Sequence, residues 1–417
     1  MVRKAAEAMN KAFPFRLPML LDGATGTMLQ ARGMPAGACT ETWIMDNPQP
    51  LLETQALYAR AGSDAVLAPT FTANSLSLAQ HGVTGRTAEL NGGLVALSRK
   101  AVEGKALVGG DLTATGRMLE PYGDVTFELL YEAYYEQAQA LEAAGVDFFD
   151  METTTHLAEA RAALLACRAA SDKPVFVTFT CDSNGRTFCG TDVLAALLTL
   201  QAMGASAFGL NCSAGPEQML PQLQRLGEYA AVPLIAKPNA GLPETVDGKT
   251  VYRLSPQGLA QYVPQMAQAG VRIFGGCCGT TEQHIAALRQ AVDELALPAL
   301  DQTPPQGILT TERKVFRLED LTWAEPIPCT EDFDGDAMDA DEEEVLQVLL
   351  DSDQALENFL AGCYGVCTPL CLVTDDVHRL EQALRAYQGL ACCRADCGIS
   401  PEELARLQDR YGLVIAN

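Results

Sequence analysis

"VDFFDMETTTHLAEARAALLACRAASDKPVFVTFTC", residues 146–181, reads as a strand, a helix and a second strand. "VDFFDMET" and "PVFVTFTC" are short runs rich in β-branched and aromatic residues, whereas "HLAEARAALLACRAA" sets alanine and leucine at helical spacing. A helix between consecutive strands is the crossover that parallel pairing requires. Working outward, the same unit recurs. "MLLDGATG", "DAVLAPTF" and "ALVGGDL" precede it, and "AFGLNCS", "PLIAKPNA" and "IFGGCC" follow it. Nearly every gap holds an Ala/Leu-rich stretch such as "FELLYEAYYEQAQALEAAG". Eight such repeats in an α/β chain point to a (β/α)8 TIM-type barrel, with an open doubly wound sheet as the alternative that strand count leaves standing.

A barrel of this kind carries its chemistry on the loops after the strands. The unusual residues fall there: Asp22, Gly23 and Ala24 after the first strand, Glu152 at the end of the fourth, Cys212 after the sixth, Asn239 after the seventh, and Cys277 with Cys278 after the eighth. The adjacent cysteines are a poor disulfide, because neighbouring Cα atoms lie about 3.8 Å apart and a relaxed disulfide wants roughly 5.5 Å. Zinc takes thiolates tetrahedrally, and a catalytic zinc keeps one position open. Cys212, Cys277 and Cys278 match that donor set, with the glycines at 275 and 276 permitting the bend that turns both adjacent thiols to one point. Read from the residues alone, three small buried apolar side chains at the barrel mouth are an equal alternative.

Four motifs in barrel order tip the balance: "DGATGT" at 22–27, "GLNCSAGP" at 209–216, "KPNAGLP" at 237–243 and "GGCCGTTEQHI" at 275–285. With them the chain resembles the homocysteine S-methyltransferase family across residues 15–300. The resemblance implies that Cys212, Cys277 and Cys278 hold a zinc ion, that Asn239 fills its fourth position when substrate is absent, and that Asp22, Gly23, Ala24 and Glu152 hold the amino-acid end of homocysteine. It further implies that the homocysteine thiolate attacks an activated methyl group to give methionine. Family members take that methyl from a protein-bound corrinoid, from S-methylmethionine or from betaine. The stretch "GGDLTATGRMLEPYGDVTFELLYEAYYEQ", 109–137, is similar to the homocysteine module of cobalamin-dependent methionine synthase. A methylcobalamin donor carried by a separate corrinoid protein is therefore expected. A small onium donor, or a non-catalytic amino-acid-binding scaffold, are the alternatives.

The barrel is expected over 1–302, a linker with an acidic run over 303–344, and a small α/β domain over 345–417. Within the linker, Asp332, Asp334, Asp336 and Glu343 approach calcium-loop spacing, but Ala337 stands where that loop needs glycine, so a solvated acidic segment is expected. In the tail, "EEVLQVLLDSDQALENFLAG" reads as helix, Cys371, Cys392 and Cys393 read as buried strand residues, and Asp376 to Glu381 miss the corrinoid-binding pattern by its glycine. His156 and His284 read as helix-start or packing residues. "DGATGT" and "GGDLTATG" lack the Walker lysine and the dinucleotide fingerprint, so neither is a phosphate cradle.

The 417 residues carry a formal charge of -24, which argues against nucleic acid and anionic membrane as partners. Residues 311–417 hold 23 acidic against 8 basic side chains, so the tail has its own character. No run of about 18 apolar residues occurs, and the first twenty lack a signal-peptide core, so a cytoplasmic protein with its 14 cysteines reduced is expected.

Overall fold

The structure is a computed structural model and describes residues 13–246, 249–297 and 303–416. Eight parallel strands form one sheet: β1 (Met19–Leu20), β2 (Ala65–Ala68), β3 (Leu107–Thr113), β4 (Phe148–Thr154), β5 (Val175–Phe179), β6 (Ala207–Cys212), β7 (Leu234–Pro238) and β8 (Val271–Phe274). Their order is β1-β8-β7-β6-β5-β4-β3-β2, which curls the sheet until β1 and β2 meet. The fold is the expected (β/α)8 barrel. Its seam is stitched partly by carboxylates. Asp64 N–H donates to the Leu20 carbonyl at 2.7 Å, the Asp64 carboxylate accepts from Leu20 N–H at 2.7 Å, and the Asp22 carboxylate accepts from Leu67 N–H at 3.0 Å.

The barrel floor is apolar because alternate strand residues face inward. Met19, Phe148, Phe176, Ala207, Ile235 and Ile273 fill it, and Phe13 and Phe15 pack beneath. Phe148 and Phe176 stack at 4.7 Å between ring centroids. Above this floor the same alternation brings Asp150, Glu152 and Lys237 inward, so the interior turns from apolar to charged toward the C-terminal rim.

The chain divides into two compact units. One comprises Phe13–Phe188 and Ala205–Gln302. The other joins Cys189–Gly204 to the residues from Thr303 onward, so the helix Val193–Ala202, which follows β5 in sequence, belongs to the second unit. Thr199 Oγ1 lies 2.8 Å from Thr310 Oγ1.

The second unit contains an antiparallel pair, β9 (Ile308–Thr310) and β10 (Val315–Arg317), and a separate parallel sheet. That sheet is built from β11 (Thr322–Trp323), β12 (Ile327–Pro328), β13 (Glu344–Leu349), β14 (Leu370–Val373), β15 (Cys392–Arg394) and β16 (Val414–Ala416). β11 and β12 both pair with β13. Residues 344–349, expected as helix, are strand. "EVLQVL" is a short apolar run whose period fits either element, and Ser352 starts the helix only at Asp353, accepting from Ala355 N–H. Part of the acidic run folds as helix Phe333–Asp339. Cys371, Cys392 and Cys393 are fully buried, and Asp376 caps helix Val377–Ala386. Among the described residues no helix is long and apolar enough to cross a membrane.

Candidate metal centre

The three cysteines read from the sequence converge. Their sulfurs lie within 4.8 Å of one another, with Cys212 Sγ 3.8 Å from Cys278 Sγ. Among the described residues this is the cluster of metal-ligating side chains that could hold an ion.

Local backbone geometry aims them. At the end of β6, Cys212 (φ 60°) and Ser213 (φ 33°) are left-handed, which turns the thiol out of the pleat at a cost of about 1–2 kcal/mol per residue. Beyond β8 the strand gives way to a tight turn. Cys277 N–H donates to the Pro238 carbonyl at 2.9 Å, and Thr280 Oγ1 donates to the Cys277 carbonyl at 2.7 Å. A Cβ at Gly276 would sit 2.4 Å from Thr280 Oγ1, and one at Gly279 (φ +77°) would sit 2.4 Å from the Tyr252 ring. Glycine at both positions is thus demanded by close approach. Ala240 N–H donates to the Cys278 carbonyl at 3.0 Å, tying the seventh loop to the eighth.

Hydrogen bonds among the thiols concentrate anionic character on one of them. Contacts with Cys212, Cys277 and the Tyr252 hydroxyl bring Cys278 down to about 3, and the contact with Cys212 pushes Cys277 well above the usual thiol range. Asn239 is buried and joined to Cys212 by a side-chain hydrogen bond, while its Oδ1 has no hydrogen-bond partner among the described residues. Three thiols and one orphaned amide oxygen are a donor set that suits zinc.

Beside the thiols lies a charged chamber. Lys237, on β7, is almost fully buried; its Nζ is hydrogen-bonded to Glu152 and lies 3.6 Å from Asp150 Oδ2. Asp22 and Asp111 complete the group. Burial pushes Asp22 up to about 7, with Lys237 pulling the other way. Burial likewise lifts Asp150 to about 6 and Asp111 well above the carboxylate range. Burial opposes the Lys237 ammonium, yet Glu152, Asp150, Asp22 and Asp111 together hold its pKa above the ordinary value.

Asn211 joins the two clusters. Its Oδ1 accepts from Thr153 N–H at 3.0 Å and its Nδ2 donates to Thr153 Oγ1 at 2.8 Å, so the residue before Cys212 pins the residue after Glu152. In the first loop Ala24 N–H is already donated to Thr280 Oγ1 at 3.0 Å, and a Cβ at Gly23 would meet the Tyr58 ring at 2.9 Å. His284 caps its own helix with Thr281 and reaches the Leu254 carbonyl at 2.9 Å.

Lys237, Asp150, Asp111 and Tyr252 were not singled out from the sequence. A lysine inside the apolar run "PLIAKPN" and an aspartate inside "VDFFDMET" were visible signals. Tyr252 carries none, because its place depends on a loop with no regular period.

The family model described as Homocysteine S-methyltransferase matches residues 19–292. Methionine synthase from Mycobacterium tuberculosis (strain ATCC 25618 / H37Rv) is 32% identical over 300 residues, covering 67% of this chain and 25% of that protein. Methionine synthase from Mycobacterium leprae (strain TN) is 31% identical over 309 residues, covering 69% and 25%. The chain thus spans a quarter of the length of these curated relatives. Among solved structures, the metallated form of the homocysteine methyltransferase MmuM from Escherichia coli matches with a TM-score of 0.55 at 27% identity, covering 65% of this chain and 95% of that chain.

Proposed function

This chain belongs to the homocysteine S-methyltransferase family, and we propose that it transfers a methyl group from a corrinoid carried by a separate protein to homocysteine, giving methionine in the cytoplasm. The observation that carries the reading is the convergence of Cys212, Cys277 and Cys278 beside a chamber of carboxylates. Cys212, Cys277 and Cys278 would hold zinc, with Asn239 as the fourth donor before substrate arrives. Bound zinc supplies a Lewis acid that keeps a substrate thiol deprotonated at neutral pH. Everything else falls to the protein. Asp22 and Glu152 take the substrate ammonium, and the first loop at Gly23 and Ala24 lies against its carboxylate, with Ala24 N–H itself held by Thr280 Oγ1. The lone pair of the thiolate forms the new C–S bond as the carbon–donor bond breaks, leaving its electron pair on the donor.

Two features favour a donor delivered by a protein over a small onium compound. One is the resemblance of residues 109–137 to the homocysteine module of cobalamin-dependent methionine synthase, alongside the identity to two methionine synthases. The other is the rim. Met118 and Tyr122 after β3, Phe188 after β5 and Leu242 after β7 are exposed apolar side chains on loops at the C-terminal side of the barrel, and Phe188 is 99% exposed. Exposed apolar side chains on several loops of the rim that carries the thiols suit a macromolecular contact.

The test is methionine formation from homocysteine by the zinc-loaded protein, with methylcobalamin as donor and S-methylmethionine and betaine in parallel. Turnover with methylcobalamin, abolished by Cys277→Ala, is the expected outcome. Turnover only with an onium donor would replace the corrinoid reading, and zinc-loaded protein inactive with every donor, including methylcorrinoid proteins, would refute the enzyme reading.

A further inference from the structure

We infer that Lys237 is a positioning residue for the substrate ammonium, acting through Glu152; this rests on the homocysteine reading above. The chamber holds four carboxylates, Asp22 just after β1, Asp111 on β3, and Asp150 and Glu152 on β4, against the ammonium of Lys237 on β7. Lys237 crosses the barrel interior to reach them. Its stem runs beside Gly275, where a Cβ would stand 3.1 Å from Lys237 Cγ, so the glycine leaves the lane that the lysine occupies.

Asp150 and Glu152 are two residues apart on one strand and face the same interior. Two neighbouring carboxylates in a buried site do not both stay ionised without a cation, since like charges and lost hydration favour protonation of one of them. Lys237, bonded to Glu152 and 3.6 Å from Asp150, is that cation. It holds the Glu152 carboxyl group by direct contact and fixes its direction. One resident cation faces four carboxyl groups, and Asp111 Oδ1 has no hydrogen-bond partner among the described residues. A second cation is accommodated, and a substrate ammonium supplies it. Lys237 thereby prepares the acceptor without itself touching the reacting sulfur.

The test is calorimetric titration of the zinc-loaded full chain with L-homocysteine and with 4-mercaptobutanoate, which keeps the thiol and carboxylate but lacks the ammonium. The proteins are wild type, Lys237→Met, Glu152→Gln and the double variant. Lys237→Met is expected to weaken homocysteine about 10-fold or more, the loss typical of a hydrogen bond to a charged group, and to leave 4-mercaptobutanoate within about 2-fold. In the Glu152→Gln background the same substitution should change homocysteine binding by less than about 2-fold, because residues acting through one contact are not additive. That comparison also serves if Lys237→Met alone fails to fold, since the neutral pair leaves no unpaired charge at position 152. Tighter homocysteine binding in Lys237→Met, equal losses for both ligands, or additive losses in the double variant would each overturn the assignment. Wild-type protein that takes up zinc but not homocysteine would instead overturn the substrate reading on which it rests.

Discussion

Replacing Asn211 with alanine should loosen the connection between the two halves of the site. The side chain is fully buried and makes two hydrogen bonds to Thr153, at 3.0 and 2.8 Å. Thr153 is a β-branched residue at φ 59°, a conformation that costs about 1–2 kcal/mol and persists only where its surroundings enforce it. Deleting the amide removes two bonds worth about 1 kcal/mol each and strips the Thr153 N–H of its partner, for a total of about 2–4 kcal/mol. At about 2–4 °C per kcal/mol for a unit of this size, the barrel transition of zinc-loaded protein should fall by about 4–16 °C in scanning calorimetry. The left-handed turn at Thr153 is then held less firmly and Glu152 is aimed less firmly at Lys237, so homocysteine affinity should fall as well. Adding Thr153→Gly supplies the check. Glycine adopts the left-handed conformation without strain, so the double variant should recover about 1–2 kcal/mol relative to Asn211→Ala. An Asn211→Ala protein with wild-type melting, or a double variant less stable than either single one, would refute this reasoning.

Cys278→Ser should reduce zinc affinity by about 100-fold or more, on the basis that the roughly 10–16 kcal/mol typical of a thiolate-rich site is shared among four donors; competition with a chromogenic chelator measures it, and unchanged affinity would remove Cys278 from the site. Asp22 gives a pH signature. Its carboxyl is pushed up to about 7 by burial, against an ordinary 3.8, so the folded chain retains a proton that the unfolded chain releases. The associated stability is complete below about pH 4 and is lost as pH rises through about 7. Asp22→Asn keeps an acceptor for Leu67 N–H and does not titrate, so the decline in melting temperature over that window should flatten, and an unaltered slope would exclude Asp22 as its source.

The barrel was legible because each strand carries its signal within six to eight residues and each crossover helix repeats its own. The thiols were legible for a similar reason: once eight strands are assigned, Cys212, Cys277 and Cys278 fall at strand ends without further information. What stayed hidden depends on distant pairs. Glu152 meets Lys237 across 85 positions of sequence, and Asp22 meets Leu67 across 45. No local period encodes either contact. β13 was misread because "EVLQVL" is too short to separate a period of 2 from one of 3.6, and the place of Val193–Ala202 in the second unit follows from packing onto residues more than a hundred positions away, as at Thr199 and Thr310.

The distribution of charge around the barrel ties these observations together. Thiols come from β6 and from the turn after β8, with Asn239 between them, whereas the carboxylates come from β1, β3 and β4. Both sets are anionic or become so when they work, and both face one low-dielectric interior, where repulsion between like charges is poorly screened. Glu152 already raises the pKa of Cys277 through that interior. Lys237 offsets the carboxylates alone, because it is bonded on the β4 side. A divalent ion among the thiols and an ammonium among the carboxylates would each relieve the half that Lys237 cannot. A ligand carrying an ammonium at one end and a thiol at the other spans the two sets with matching charge, while a simple thiol answers only one. On the function proposed above, selection for an amino-acid thiol would lie as much in the carboxylates of the first, third and fourth strands as in the three cysteines.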